Sequence, residues 1–182
     1  MRTNLRFPRI AGIAVLVMAM AVALFGAAGA QAGGGIGTNS PTTVKGSKAK
    51  LVDGRAVAPA GAPKQVQQVI AAANKIRNKP YKWGGGHGSW NDNGYDCSGS
   101  VSYALHGGRL LRAPLDSSGF MHWARGGKGH WITVYSNPSH AFMVVAGLRF
   151  DTSMTRGNGP GWSKDIHAER LSDFRKRHKA RY

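Results

Sequence analysis

Residues 94–105, GYDCSGSVSYAL, hold the only cysteine in the 182-residue chain. Cys97, Val101, Ala104 and Leu105 recur at helical spacing, and Asp96 before them is a residue type that caps helix N-termini with its side-chain oxygen. The spacing predicts a short helix that begins at the cysteine and stops by Gly107-Gly108. A thiol in such a first turn faces backbone N–H groups without intrahelical partners, and these together with the helix dipole favour the nucleophilic thiolate. Three readings of Cys97 are open at this point: a small buried core thiol, an intermolecular link, or a reactive group.

Downstream, HWITVYS (130–136), HAFMVVA (140–146) and LRFDTS (148–153) are runs of strand-forming residues separated by Asn137-Pro138 and by Gly147, the pattern of a β-meander. DFRKRHKARY (173–182) offers one more strand through Phe174. His140 opens the second run, where an imidazole could serve a thiol as base. With Ala146-Gly147 as a two-residue turn, Asp151 falls opposite Phe142, on the face of His140 and diagonal to it. Taken singly, His140 also reads as a solvated strand-edge residue and Asp151 as a strand-end residue. His87, His106, His122, His130, His167 and His178 lie in loops or the basic tail without an acidic partner in that pattern, and read as solvated surface. Residues 109–129, rich in Pro, Ser and Gly, read as a long irregular connection of the kind that shapes a cleft.

Upstream, Tyr81 to Tyr95 is a Gly-, Asn- and aromatic-rich loop. Its WNDNGYD segment lacks the full calcium-loop pattern, and no HExxH, paired-cysteine, phosphate-loop or dinucleotide motif occurs, so neither metal nor cofactor is expected. Val66, Val69, Ile70, Ala73 and Ile76 mark an amphipathic helix that ends before Pro80. Residues 33–63 are rich in Gly, Pro, Ala, Ser and Thr and read as a flexible tether, so the folded domain is expected to span 64–182.

At the N-terminus, Arg2, Arg6 and Arg9 precede an uncharged run, Ile10 to Ala30, that closes on Ala30-Gln31-Ala32. Residues 1–32 therefore read as a secretory signal, with an uncleaved membrane anchor as the rival, and the destination is the bacterial cell envelope or beyond. The chain carries 25 Lys and Arg against 8 Asp and Glu; cleavage after Ala32 removes three arginines and leaves a net charge of +14. Such a surface seeks polyanions, and export favours anionic cell-wall polymers over nucleic acid. In an oxidising compartment a lone cysteine has no internal disulfide partner.

Together, KPYKWGG (79–85), YDCSGSVSYAL (95–105) and PSHAFMVVAGLRFDTS (138–153) resemble the NlpC/P60 family of bacterial cell-wall cysteine peptidases, in order and approximate spacing. The resemblance spans about residues 64–153, with a weaker echo in DFRKRH (173–178). It implies an α+β, papain-like core with N-terminal helices packed on an antiparallel sheet. It implies Cys97 as nucleophile, His140 as general base and Asp151 as the residue that orients the imidazole. Two departures stand out: a carboxylate at the third position, where the family more often has His, Asn or Gln, and GKGHWITVY (127–135) in place of the usual P-G-D-L-V run. The resemblance also implies that Tyr81, Asp96 and Ser98 line the substrate cleft, the last two available to a peptide's free amino group.

The expected function is a secreted, monomeric, cofactor-free endopeptidase acting on peptidoglycan stem peptides. The alternatives are a related papain-like amidase or acyltransferase on another envelope amide, and a non-catalytic basic wall-binding protein.

Overall fold

The computed structural model describes residues 43–153, 159–167 and 170–182. The signal-like segment 1–32 and residues 33–42 lie outside them. Among the described residues no helix is long and apolar enough to cross a membrane.

The expected tether proves to be built structure from Thr43 onward. Strands β1 (Thr43–Val44), β2 (Lys50–Val52) and β3 (Arg55–Pro59) form a small sheet in the order β1-β3-β2. Asp53 and Gly54, with φ of 48° and 72°, make the two-residue turn that pairs Val52 with Arg55. Positive φ at both turn positions gives the twist that antiparallel strands need. Ala56, Val57 and Ala58 of β3 are buried, and the buried Asn74 of helix α1 (Lys64–Ile76) holds this strand by its backbone. Its Nδ2 donates to Ala56 O at 2.8 Å, while its Oδ1 accepts Ala56 N at 3.1 Å and Trp162 Nε1 at 3.1 Å. The folded domain therefore begins before residue 64, because β3 is buried and tied by its backbone to Asn74 of α1.

Helix α1 buries Val66, Val69, Ile70, Ala73 and Ile76, the face its periodicity predicts, against α2 (Cys97–Gly107). Gly107 and Gly108 are the points of closest approach: a Cβ on Gly107 would run into Ala72, and one on Gly108 into Val69. These glycines therefore end α2 and also let the two helices touch.

The main sheet is antiparallel, with strands β4 (Arg125–Gly126), β5 (Ile132–Ser136), β6 (Ala141–Val145), β7 (Leu148–Asp151), β8 (Gly161–Ser163) and β9 (Arg175–His178) in the order β4-β9-β5-β6-β7-β8. The meander β5-β6-β7 follows the sequence pattern, and Val145 pairs with Leu148 across the Ala146-Gly147 turn. The tail strand starts just after Phe174 and inserts between β4 and β5. Side chains alternate across the sheet: Val134, Ala141, Met143, Val145 and Phe150 belong to the core that includes both long helices, whereas Tyr135, Phe142, Arg149 and Asp151 share the opposite face by register. The expected irregular connection 109–129 contains a short helix, α3 (Ser117–Phe120), as well as β4. Phe120 is fully buried, and Ser117 Oγ donates to Pro138 O at 3.1 Å, so this segment braces the β5-β6 turn.

Candidate active site

Cys97 is the first residue of α2 and is half-buried. Asp96 caps the helix as its residue type predicts, accepting Gly99 N at 2.7 Å. The preceding loop clamps this end: Asp96 N donates to Gly85 O at 3.2 Å, and Gly99 has no Cβ because one would strike that same carbonyl. The sulfur is thus presented from a fixed helix start, beside the positive end of the helix dipole.

His140 sits at the mouth of β6, in a turn closed by Asn137 N donating to His140 O at 3.0 Å and by the Asn137 side chain. Asn137 Oδ1 accepts Ser139 N at 3.0 Å, Ser139 Oγ at 3.1 Å and His140 N at 2.8 Å. Across the sheet, His140 Nε2 lies 3.0 Å from Asp151 Oδ1, with the histidine side chain 28% exposed and the aspartate fully buried. Nε2 is thereby committed to the carboxylate, and the same side chain interacts with Cys97. Burial alone would lower the imidazole pKa; contact with the Asp151 carboxylate and with Cys97 outweighs it and raises the value to about 9. At neutral pH the ring therefore holds its proton.

Asp151 keeps its charge although buried. Desolvation pushes its pKa up, but the hydrogen bond and charge of His140, followed by those of Arg149, bring it below the ordinary carboxylate value. Arg149 Nε donates to Asp151 Oδ2 at 3.0 Å, and its Nη2 pairs with the same oxygen. Its Nη1 donates to His167 O at 2.8 Å, and its guanidinium carbon stands 4.2 Å over the Phe142 ring. Phe174 meets His140 edge-on at 6.3 Å and Phe142 at 5.2 Å. Neither Arg149 nor Phe174 was marked by sequence as part of this cluster. Arg149 could have been found from its two-residue offset from Asp151 on one strand face, whereas Phe174 reaches the cluster only through the inserted β9.

Tyr81 is 39% exposed and its hydroxyl pKa is raised, first by burial and then by the charges of Cys97 and Asp96. Asp96 and Ser98 lie beside the thiol as expected but are buried, at 8% and 4% exposure. Both are engaged by His87, whose Nε2 lies 3.0 Å from Asp96 Oδ1 and 3.2 Å from Ser98 Oγ. The solvated-surface reading of His87 is thus corrected: the glycine-rich loop folds back and delivers it to the helix cap. His106 is exposed, as that reading expects, although it stacks on Trp90 at 4.0 Å and its Nδ1 bonds Leu111 O. His167 has an acidic partner, Asp165, at 3.2 Å, but the pair is exposed. Among the described residues no group of three or more His, Cys, Asp or Glu side chains is placed to hold a metal ion.

The α+β fold, with its six-stranded antiparallel sheet, is shared with solved structures. The P60 domain of an antigen from M. avium subspecies paratuberculosis superposes with a TM-score of 0.51 at 22% identity, over 63% of this chain and 94% of that one. The peptidoglycan hydrolase RipB of Mycobacterium tuberculosis superposes with a TM-score of 0.50 at 23% identity, over 64% of this chain and 68% of that one. No family model and no curated protein matches the sequence. The chain has the NlpC/P60 fold.

Proposed function

We propose that the protein is an exported cysteine peptidase that hydrolyses amide bonds in peptidoglycan stem peptides. The observation that carries this reading is Cys97 at the start of α2 interacting with a His140 ring whose Nε2 is held 3.0 Å from buried Asp151. The thiolate of Cys97 attacks the scissile carbonyl, forming a carbon–sulfur bond and an oxyanion that the first-turn N–H groups stabilise. Collapse breaks the carbon–nitrogen bond as His140 gives its proton to the leaving amine. His140 then takes a proton from water, which attacks the thioester and releases the acid and the thiolate. Incubating the purified protein with muropeptides and identifying products by mass spectrometry tests this. Cleavage within the stem peptide that disappears in Cys97→Ala is expected; an unaltered rate in that variant removes the assigned nucleophile. Product masses also separate a stem-peptide cut from action on another envelope amide.

A second reading, adhesion to anionic wall polymers, is favoured by the β4-β9 edge. Arg125, Lys128, Arg175, Lys176, Lys179 and Arg181 cluster there, and none of the ion pairs among the described residues involves them. Wall binding that weakens with salt, with no cleavage and a slow iodoacetamide reaction at Cys97, would support a binder in place of an enzyme.

A further inference from the structure

The loop before Cys97 brings a third polar side chain to the cleft. Gly84 N donates to Asp96 Oδ2 at 3.0 Å, while Gly99 N, Ser98 Oγ and His87 Nε2 gather on Oδ1 at 2.7, 3.2 and 3.0 Å. A carboxylate offers about four acceptor positions. Asp96 Oδ1 is therefore fully engaged within the chain, with His87 the most exposed of its partners. Gly86, at φ +86°, lies against the Tyr95 ring and Gly99, where a side chain would clash, so the loop reaches this pose only with glycine there. The His87 side chain is itself about one-quarter exposed, at 26%, against 11% for that of Asp96, so His87 and not the carboxylate meets incoming substrate.

A peptide amino group arriving beside Cys97 would be an ammonium in need of an anion. To reach Asp96 Oδ1 it would have to displace an imidazole already bonded to that oxygen, breaking a contact made at 3.0 Å. An acylated nitrogen carries no charge and asks for no such exchange. We propose that His87 is a specificity-determining residue that closes Asp96 and Ser98 to free amines, so the site takes stem peptides whose N-terminal nitrogen is acylated. This rests on the stem-peptide reading above and reverses the expectation that Asp96 and Ser98 receive a free amino group.

The test uses the full chain carrying Cys97→Ala and two synthetic L-Ala-γ-D-Glu-diaminopimelate peptides, one with a free N-terminus and one N-acetylated. Titration calorimetry near pH 7 should give at least about tenfold tighter binding of the acetylated peptide, the size expected for one charge-assisted contact. Adding His87→Ala should uncover Asp96 and raise free-amine affinity by about tenfold, whereas His87→Gln, which can still donate to the carboxylate, should keep the original preference. Equal affinities, a preference for the free amine, binding of neither peptide, or an unchanged ratio in His87→Ala would each overturn the assignment. Digestion of sacculi by the wild-type chain is followed in parallel. Digestion without the preference refutes the role of His87 alone, and the preference without digestion refutes hydrolysis alone.

Discussion

His140 and Asp151 meet side chain to side chain at 3.0 Å, from the first residue before β6 and the last residue of β7. The two-residue Ala146-Gly147 turn fixes this diagonal, because it sets Val145 against Leu148 and every later pair follows. The contact has an electrostatic consequence. His140, ordinarily near 6.5, titrates at about 9, so the imidazolium needed to protonate a leaving amine persists across the neutral range.

Asp151→Asn should therefore move the alkaline limb of kcat downward from about 9, since burial would then act on His140 with less opposition. Loss of the orienting carboxylate should also lower kcat by about 10²- to 10⁴-fold. A pH–rate profile with NMR titration of the His140 ring checks both. An alkaline limb that stays in place would detach Asp151 from the imidazole. Stability has a defined sign as well. His140's raised pKa contributes stability fully below 6.5, lost as pH rises through about 9. Asp151's lowered pKa contributes above 3.8, lost as pH falls through the lower folded value. Melting temperature should be highest between those limits, and Asp151→Asn should flatten both flanks.

Arg149 holds the far oxygen of that carboxylate. Arg149→Met should let the Asp151 pKa rise, bringing the acid limb of activity to higher pH, whereas Arg149→Lys should restore part of the original profile by keeping a cation there. Removing one member of a buried ion pair also costs about 3–5 kcal/mol, so urea midpoints are measured beside the pH profiles. A Met variant with reduced stability but an unmoved acid limb would leave Arg149 a purely structural role.

Much of the site was legible because it depends on local rules. Helical spacing after Asp96 placed Cys97 at a helix start, and strand period with a two-residue turn placed Asp151 beside His140. The N-terminal sheet was obscured by composition: Ala56 and Ala58 carry little hydrophobic signal, although Asp53-Gly54 between Val52 and Arg55 is a hairpin cue. His87 was illegible for a different reason. Its partner is reached by a loop closing on a helix cap, a contact set by the glycine conformations of residues 84–86 and not by any period.

The N-terminal sheet yields a prediction about stability. Asn74→Ala strips partners from Ala56 N, Ala56 O and Trp162 Nε1, all in buried surroundings. Each unsatisfied buried group costs about 1–3 kcal/mol, so the variant should lose several kcal/mol in urea unfolding. A chain that begins at Lys64 should be destabilised further, since it uncovers Ile70, which lies beside Ala56 and Ala58, as well. A truncated chain as stable as its parent would return residues 43–63 to the status of a tether.

Asn137 supplies the last test, because its side chain gathers three donors of the turn that presents His140. Ser139 N, Ser139 Oγ and His140 N all donate to its Oδ1, which with the backbone bond from Asn137 N to His140 O holds the histidine backbone in the turn. Asn137→Ala frees three donors in an exposed turn, where water replaces the lost bonds and global stability changes by no more than about 1 kcal/mol. The catalytic geometry is less forgiving, since a displacement of about 1 Å at a reacting group costs about 10²-fold in rate. Turnover should fall by about 10- to 100-fold with KM little changed. Asn137→Asp, which retains the acceptor oxygen, should recover most of it. If KM rises instead while kcat holds, the turn acts on substrate binding and His140 is positioned by Asp151 alone.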